Sequence, residues 1–167
     1  AALESSPRLC LYGCDVDKLC LGRAAKIAAD AHLLHGDALR VLQDFEGKFD
    51  YAAGNPPFSA QRKLVDNPET LRWFALGQGR PRQALEILFL ELFIRLLKPK
   101  GRFSIVLPEN ICAMRPLKYV RDWLMENVAI TSIISLPRYI FEGTAAKCVV
   151  LTGERQKSSR GKTFFAV

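Results

Sequence analysis

The stretch FDYAAGNPPFS, residues 49–59, decides how this sequence is interpreted. Its first half is apolar and aromatic enough to predict a strand that runs into a core. The two prolines that follow, Pro56 and Pro57, lack a backbone N–H and have a fixed φ, so neither can continue a strand or a helix. The predicted strand therefore ends in a rigid corner that carries an amide, Asn55, and an aromatic ring, Phe58.

Strand-like and helix-like segments alternate along the rest of the chain. Short apolar runs predict strands at residues 8–13, 33–36, 49–53, 102–107, 129–136 and 148–152. Apolar residues at helical spacing predict helices at residues 16–30, 83–97 and 117–127. Strands separated by helices imply right-handed crossovers, so the predicted fold class is α/β with a mostly parallel sheet and helices on both faces.

Composition limits the classes of protein to which the chain can belong. A length of 167 residues predicts a single domain over residues 1–167. The net charge of +7 favours a polyanionic partner, although a general solubility charge is the alternative. The five cysteines are scattered without a C-x-x-C pair, which predicts reduced thiols of a cytoplasmic protein and no metal site. The sequence has no run of 18 apolar residues, so we expect no membrane span.

A long polar segment, residues 59–82, follows the corner and is rich in glycine and arginine. A connection of this length is predicted to be either a functional loop or a disordered one. Its basic residues Arg62, Lys63, Arg80 and Arg82 lie near both ends of the segment. One interpretation is that they bind a nucleic-acid backbone, and the alternative is a solvated mobile loop.

Polar residues follow three of the predicted strands, and ligands of open parallel sheets bind beyond the carboxyl ends of the strands. Asp15 could accept hydrogen bonds from both hydroxyls of a ribose, and its alternative role is to cap a helix, a role that Asp17 can also fill. Asp37 could accept from the exocyclic amino group of adenine, and its alternative role is a turn that bonds its own backbone.

The corner itself is the third polar strand end. The side-chain oxygen of Asn55 and the carbonyl oxygen of Pro56 could both accept hydrogen bonds from one –NH₂ group. The prolines hold these acceptors in place, and Phe58 offers a flat face on which a planar base can stack. The alternative interpretation is a rigid turn with a buried phenylalanine.

These motifs together resemble the amino-methylating branch of the class I S-adenosylmethionine-dependent methyltransferases. Within that branch they are most similar to the N6-adenine DNA methyltransferases of restriction–modification systems. YGCDVD at residues 12–17 resembles the ribose-binding motif, which implies that Asp15 binds the cofactor ribose and Val16 packs on its adenine. HGDAL at residues 35–39 resembles the adenine-binding motif, which adds Asp37 and Ala38 to the cofactor site.

The later part of the chain carries the catalytic resemblance. The segment at residues 49–58 resembles the catalytic motif, which implies catalytic roles for Asn55, Pro56, Pro57 and Phe58, with Asn55 also beside the cofactor. The helix-to-strand segment that follows this motif in the family is resembled by LLKPKGRFSIVLPENI. A late segment of the family, in which an aromatic residue flanks a flipped base, is resembled by SLPRYIFEGTAAKCVVLTGERQ. Phe141 is the matching aromatic residue, with Tyr139 nearby, and the resemblance spans roughly residues 9–156.

The resemblance implies a Rossmann-like methyltransferase sheet and methyl transfer from S-adenosylmethionine to N6 of adenine in DNA. The implied partners are DNA with a flipped adenine and a specificity subunit or a recognition domain elsewhere in the parent protein. The first strand and the Gly-rich cofactor loop of the family have no match here, so we expect them upstream of this chain. Alternatives are an RNA base or protein-glutamine amino methyltransferase, and a degenerate methyltransferase fold that only binds nucleic acid.

Overall fold

The computed structural model describes residues 9–57, 64–141, 146–156 and 162–166. The chain divides into two compact units, Ala1–Asp44 and Phe45–Val167. The secondary structure of the first unit is β1 (Tyr12–Asp15), α1 (Lys18–Ile27), β2 (His32–His35) and α2 (Ala38–Val41).

The first unit is a β–α–β arrangement followed by a short helix. Its two strands pair in parallel, with Tyr12 opposite His32 and Asp15 opposite His35. Helix α1 begins where it does because Asp17 is its N-cap and accepts a hydrogen bond from the N–H of Leu19. The structure therefore confirms the helix-capping role that the sequence gave as an alternative, and it assigns that role to Asp17.

The second unit contains most of the regular structure. Its elements are β3 (Phe49–Gly54), β4 (Leu64–Val65), α3 (Pro68–Trp73), β5 (Gln83–Ala84), α4 (Leu85–Leu96), β6 (Leu97–Pro108), α5 (Asn110–Ala113), α6 (Lys118–Asn127), β7 (Val128–Ser135), β8 (Cys148–Arg155) and β9 (Phe164–Ala166). Five strands form one sheet in the order β3-β6-β8-β7-β9. Strands β3, β6, β7 and β9 run in one direction and β8 runs against them. The predicted α/β class with a mostly parallel sheet is confirmed.

Helix α4 supplies the centre of the hydrophobic core. The sequence predicts a helix that is buried on much of its circumference, and apolar residues on several sides of α4 are indeed buried: Ile87, Leu88, Leu90, Leu92, Ile94 and Leu96. Three of them, Ile87, Leu90 and Ile94, belong to one core cluster with alternate residues of β6: Phe103, Ile105 and Leu107. Full burial of one such side chain stabilises the fold by about 1.5–3 kcal/mol, so this helix fixes the position of the sheet beneath it.

The sequence predicted either a functional or a disordered loop at residues 59–82, and the structure instead shows regular elements there. The described part of this segment contains β4, which pairs with β5, and the helix α3. The side chain of Asn67 caps α3 by accepting a hydrogen bond from the N–H of Thr70 at 2.9 Å. Pro68 occupies the first turn, where its missing N–H costs no helical hydrogen bond.

A buried carboxyl group attaches this segment to α4. The two oxygens of Glu91 accept hydrogen bonds from the backbone N–H groups of Ala75 and Leu76 at 2.7 and 2.8 Å. Arg95 lies one turn further along α4, 3.5 Å from Glu91, and its guanidinium stacks over the ring of Trp73. Burial is the main cause that raises the pKa of the Glu91 carboxyl, so the interior favours its neutral form more than water does.

We expect Glu91→Ala to lower the free energy of unfolding of the intact protein by about 2 kcal/mol, because the buried N–H of Leu76 and the part-buried N–H of Ala75 both lose their acceptor. Glu91→Gln keeps one acceptor and is neutral, so about half of that loss should remain. Glu126→Ala, at an exposed position of α6, is the matched control. Urea titrations measure all three, and equal stability of the Glu91→Ala and Glu126→Ala variants would contradict the assigned role.

Candidate active site

The carboxyl ends of β1 and β2 bring Asp15 and Asp37 to the same edge of the first unit. The backbone carbonyl of Asp15 accepts a hydrogen bond from the N–H of Gly36 at 3.0 Å. One side-chain oxygen of Asp15 accepts from the N–H of Asp17 at 2.8 Å, and one of Asp37 accepts from the N–H of Leu39 at 3.0 Å. The second oxygen of each carboxylate has no hydrogen-bond partner among the residues that the structure describes.

The local turn role of Asp37 is thus confirmed, and it is compatible with a ligand role. A carboxylate has two oxygens and several lone pairs, so one bond to the backbone leaves acceptors available. The backbone bond also fixes the direction of the group, which is an advantage for binding. Whether these oxygens bind a ligand stays a prediction.

Val16 and Ala38 complete the predicted cofactor residues. Val16 directly follows β1 and its side chain is 66% exposed, although its carbonyl oxygen lies 3.1 Å from Nε2 of His35. Ala38 opens α2 and is half-buried. An exposed valine between two carboxylates provides an apolar surface that the unit's own packing leaves uncovered.

The corner with the predicted catalytic residues lies in the second unit, directly after β3. Asn55 and Pro57 are exposed, whereas Pro56 between them is buried. This alternation anchors the corner through Pro56 and leaves the amide of Asn55 open to solvent. Phe58, the remaining residue of the predicted catalytic motif, lies outside the described residues.

A close contact explains the glycine that precedes the corner. A Cβ atom at Gly54 would lie 2.7 Å from the ring of Phe93, which projects from α4. Carbon atoms do not approach so closely without displacement of one of them. A side chain at position 54 would therefore require this ring to shift, and glycine lets the end of β3 lie against α4 without that shift.

Phe141 follows β7, whose carboxyl end lies at the same edge of the sheet as that of β3. The side chain of Phe141 is half-buried, while Tyr139 is exposed. Strands β3 and β7 have β6 and β8 between them, so their axes lie roughly 14 Å apart. The corner and Phe141 thus approach one edge from two sides, and the role of Phe141 in holding a base stays a prediction.

Sequence reasoning missed a polar cleft between these two places. Its volume is about 370 Å³, and its lining includes Glu109, Asn110, Arg138 and Lys147. The available signal was the polar pair Glu109-Asn110 directly after a buried strand. The pairing of β6 with β8 could not be deduced from that signal.

Two further searches bear on the function. Across the described ranges, no three His, Cys, Asp or Glu side chains are grouped so that they could hold a metal ion. Within those same residues, no helix is both long enough and apolar enough to cross a membrane.

Comparison with known proteins shows a family match for most of the chain. The model of the N-6 DNA methylase family matches residues 22–166 of the chain. This match covers most of the sequence, including β3, the corner after it and the segment that contains Phe141.

Solved structures with the same fold are larger proteins. A protein of Listeria monocytogenes described as a class I S-adenosylmethionine-dependent methyltransferase matches with a TM-score of 0.79 at 24% identity, over 98% of this chain and 51% of that chain. The type I restriction–modification methyltransferase subunit of Streptococcus thermophilus matches with a TM-score of 0.71 at 24% identity, over 90% of this chain and 35% of that chain. The EcoKI M protein, of a type I restriction enzyme, matches with a TM-score of 0.67 at 22% identity, over 87% of this chain and 31% of that chain. The chain spans about half or less of these structures, and at such identities the likeness shows the fold.

We expect Gly54→Ala to destabilise the protein by about 1–3 kcal/mol, because the added methyl group overlaps the Phe93 ring. Phe93→Leu should recover at least half of that loss in the Gly54→Ala background, although alone it costs stability. Gly22→Ala, where a Cβ meets nothing within 4 Å, should be neutral or slightly stabilising. Thermal or urea unfolding measures the stability of the two single variants and of the double variant. If the two losses of stability simply add in the double variant, the contact does not constrain the corner.

Proposed function

Because the chain belongs to the N-6 DNA methylase family, we propose that its protein transfers a methyl group from S-adenosylmethionine to the N6 amino group of adenine in DNA. The observation that carries the proposal is the corner after β3, where an exposed Asn55 is anchored by a buried Pro56. This arrangement suits an amino group, which needs two acceptors in fixed positions.

The corner addresses the chemical difficulty of the reaction. The amino nitrogen of adenine is a weak nucleophile, because its lone pair is delocalised into the ring. The oxygens of the Asn55 side chain and the Pro56 carbonyl would each accept a hydrogen bond from one N–H of the amino group. These two bonds would favour a pyramidal nitrogen with a localised lone pair. Since the prolines have fixed φ values, these acceptors need little reorganisation as the reaction proceeds.

The residues of the first unit fit the adenosine part of the cofactor. Asp15 and Asp37 each have a carboxylate oxygen without a partner among the described residues, and Val16 offers an exposed apolar face. In this proposal Asp15 accepts from the ribose hydroxyls, Asp37 accepts from the adenine amino group, and Val16 and Ala38 pack on the adenine. When bound, the cofactor supplies the electrophilic methyl group on its sulfonium.

DNA is the proposed substrate, and the target base must leave the duplex to reach the corner. Phe58 and Phe141 are proposed to hold it by stacking. We place the protein in a restriction–modification system of the cytoplasm, in which a specificity subunit or a recognition domain elsewhere in the protein selects the sequence. The net charge of +7 supports a polyanionic substrate.

In the intact protein, Asn55→Ala should lower the turnover number for methyl transfer at least about a hundredfold, because one preorganised acceptor is lost. The affinity for cofactor should change much less. Asp15→Asn is the matched variant with the opposite pattern: it keeps the acceptor for the Asp17 N–H but loses an acceptor for ribose, so it should mainly weaken cofactor binding. Assays with radiolabelled cofactor and calorimetric titration separate the two effects. Near-normal turnover of Asn55→Ala would refute the assignment of the corner.

The basic residues of the segment after the corner give a second test. Arg80 stacks over the ring of Tyr119 at 3.8 Å, which holds its charge in one place, and Arg82 is exposed. Arg62 and Lys63 lie outside the described residues. If all four bind phosphates, replacing them with glutamine should flatten the log–log salt dependence of DNA binding by roughly two to four units.

Anisotropy titrations at several salt concentrations measure that slope. The control removes two charges from the opposite end of β6, with Lys100→Gln and Arg102→Gln, and should leave the slope unchanged. An unchanged slope for the fourfold variant would mean that this segment does not contact DNA.

A further inference from the structure

The turn after β7 presents an unusual group of side chains. Its backbone is tied to the next strand, because the N–H of Leu136 donates to the carbonyl of Cys148 at 2.9 Å. Tyr139 then adopts a φ of 64°, in the left-handed region that bulky residues with a Cβ rarely occupy. Tyr139 as a whole is 74% exposed, and Ile140 beside it is 50% exposed. The fold holds an aromatic ring outward at the expense of backbone strain.

Two positively charged side chains line the cleft beside this turn, and among the described residues only one of them is paired with a carboxylate. Pro108 pairs with Cys148 across β6 and β8, and the N–H of Glu109 donates to the carbonyl of Lys147 at 2.9 Å. The ammonium of Lys147 lies 2.8 Å from the Glu109 carboxylate, which neutralises it. Arg138 lines the same cleft and forms no ion pair or hydrogen bond with residues that the structure describes.

The position of the cleft relative to the catalytic corner follows from the strand register. Gly54 of β3 lies opposite Ile105 of β6, so Asn55 is level with the residue after Ile105. Pro108, on the rim of the cleft, lies two residues further along the neighbouring strand, which places it about 8 Å from Asn55 by strand geometry. A nucleotide whose base lies at the corner therefore has its adjoining backbone within reach of the cleft.

An unpaired guanidinium beside an outward-facing aromatic ring is the combination that binds a nucleic-acid strand. Arginine binds phosphate oxygens with two parallel hydrogen bonds, and an aromatic face stacks on any base. We propose that Arg138 and Tyr139 bind the DNA strand that carries the target base: Arg138 contacts a phosphate next to the target nucleotide, and Tyr139 stacks on a neighbouring base. The inference rests on the proposed function, since it takes the substrate of the corner to be DNA.

The Arg138 contact is tested with Arg138→Gln in the intact protein and with oligonucleotide duplexes that contain one adenine which the intact wild-type protein methylates. Binding is measured by fluorescence anisotropy, with the phosphates around the target adenine replaced singly by uncharged methylphosphonates. The variant should bind unmodified DNA roughly tenfold more weakly. At one methylphosphonate position, wild type and variant should bind equally, because the partner of Arg138 is already gone.

The control variant is Arg102→Gln, which removes the same charge from β6 roughly 20 Å along the strand from Pro108. It should bind every duplex as wild type does. If Arg138→Gln is equally weakened at all methylphosphonate positions, or is not weakened at all, the phosphate contact is overturned.

Tyr139 is tested by a pair of variants that separate the ring from the backbone. Asparagine tolerates the left-handed conformation but has no ring to stack, so Tyr139→Asn should weaken binding roughly tenfold. Tyr139→Phe keeps the ring and should bind within about twofold of wild type. Equal binding of the two variants would overturn the stacking role.

The outcomes separate this inference from the proposed function. If wild type methylates adenine in DNA while both Arg138→Gln and Tyr139→Asn bind DNA like wild type, the inference is wrong and the proposed function stands. If wild type neither methylates nor binds DNA, the proposed function fails and the inference fails with it.

Discussion

The close contact between Gly54 and the ring of Phe93 is the constraint on which the rest of the site depends. Helix α4 is the most deeply buried helix of the second unit, and the ring of Phe93 occupies the space that a side chain at position 54 would need. The end of β3 therefore lies directly against a side chain of the helix that forms much of the core. Pro56, two residues further along the chain, is buried and has a fixed φ, so the exposed amide of Asn55 precedes a rigid residue.

The mostly parallel sheet then collects the functional groups at one edge. Strand β6 is the neighbour of β3, and its register defines the distance between the corner and the cleft that contains Arg138. Strand β8 runs against the others, so its first residues meet the ends of β6 and β7, and Ala146 and Lys147 directly before it line that cleft. Groups far apart in the sequence thus lie at one edge of the sheet because strand ends meet there, as is typical of α/β proteins.

Sequence reasoning predicted features that are set locally. The alternation of strands and helices, the buried helix α4 and the rigid corner all follow from periodicity or from proline chemistry. The strand expected at residues 8–13 instead runs over Tyr12–Asp15, since pairing with β2 and not the apolar run fixes its register. Helix α3 had a local signal, Asn67 followed by Pro68, which was overlooked inside a polar segment. Strand β9 and the cleft around Arg138 arise from pairing between distant segments, which no local pattern reports.

The central claim is that the corner after β3 acts on the amino group of adenine in DNA. The most direct measurement is to incubate the intact protein with isotopically labelled S-adenosylmethionine and with DNA, RNA and protein acceptors in parallel, and then to identify the labelled product by mass spectrometry. The account predicts N6-methyladenine in DNA as the labelled product. Label in RNA or on protein glutamine, or no label in any acceptor while the cofactor binds, would contradict it.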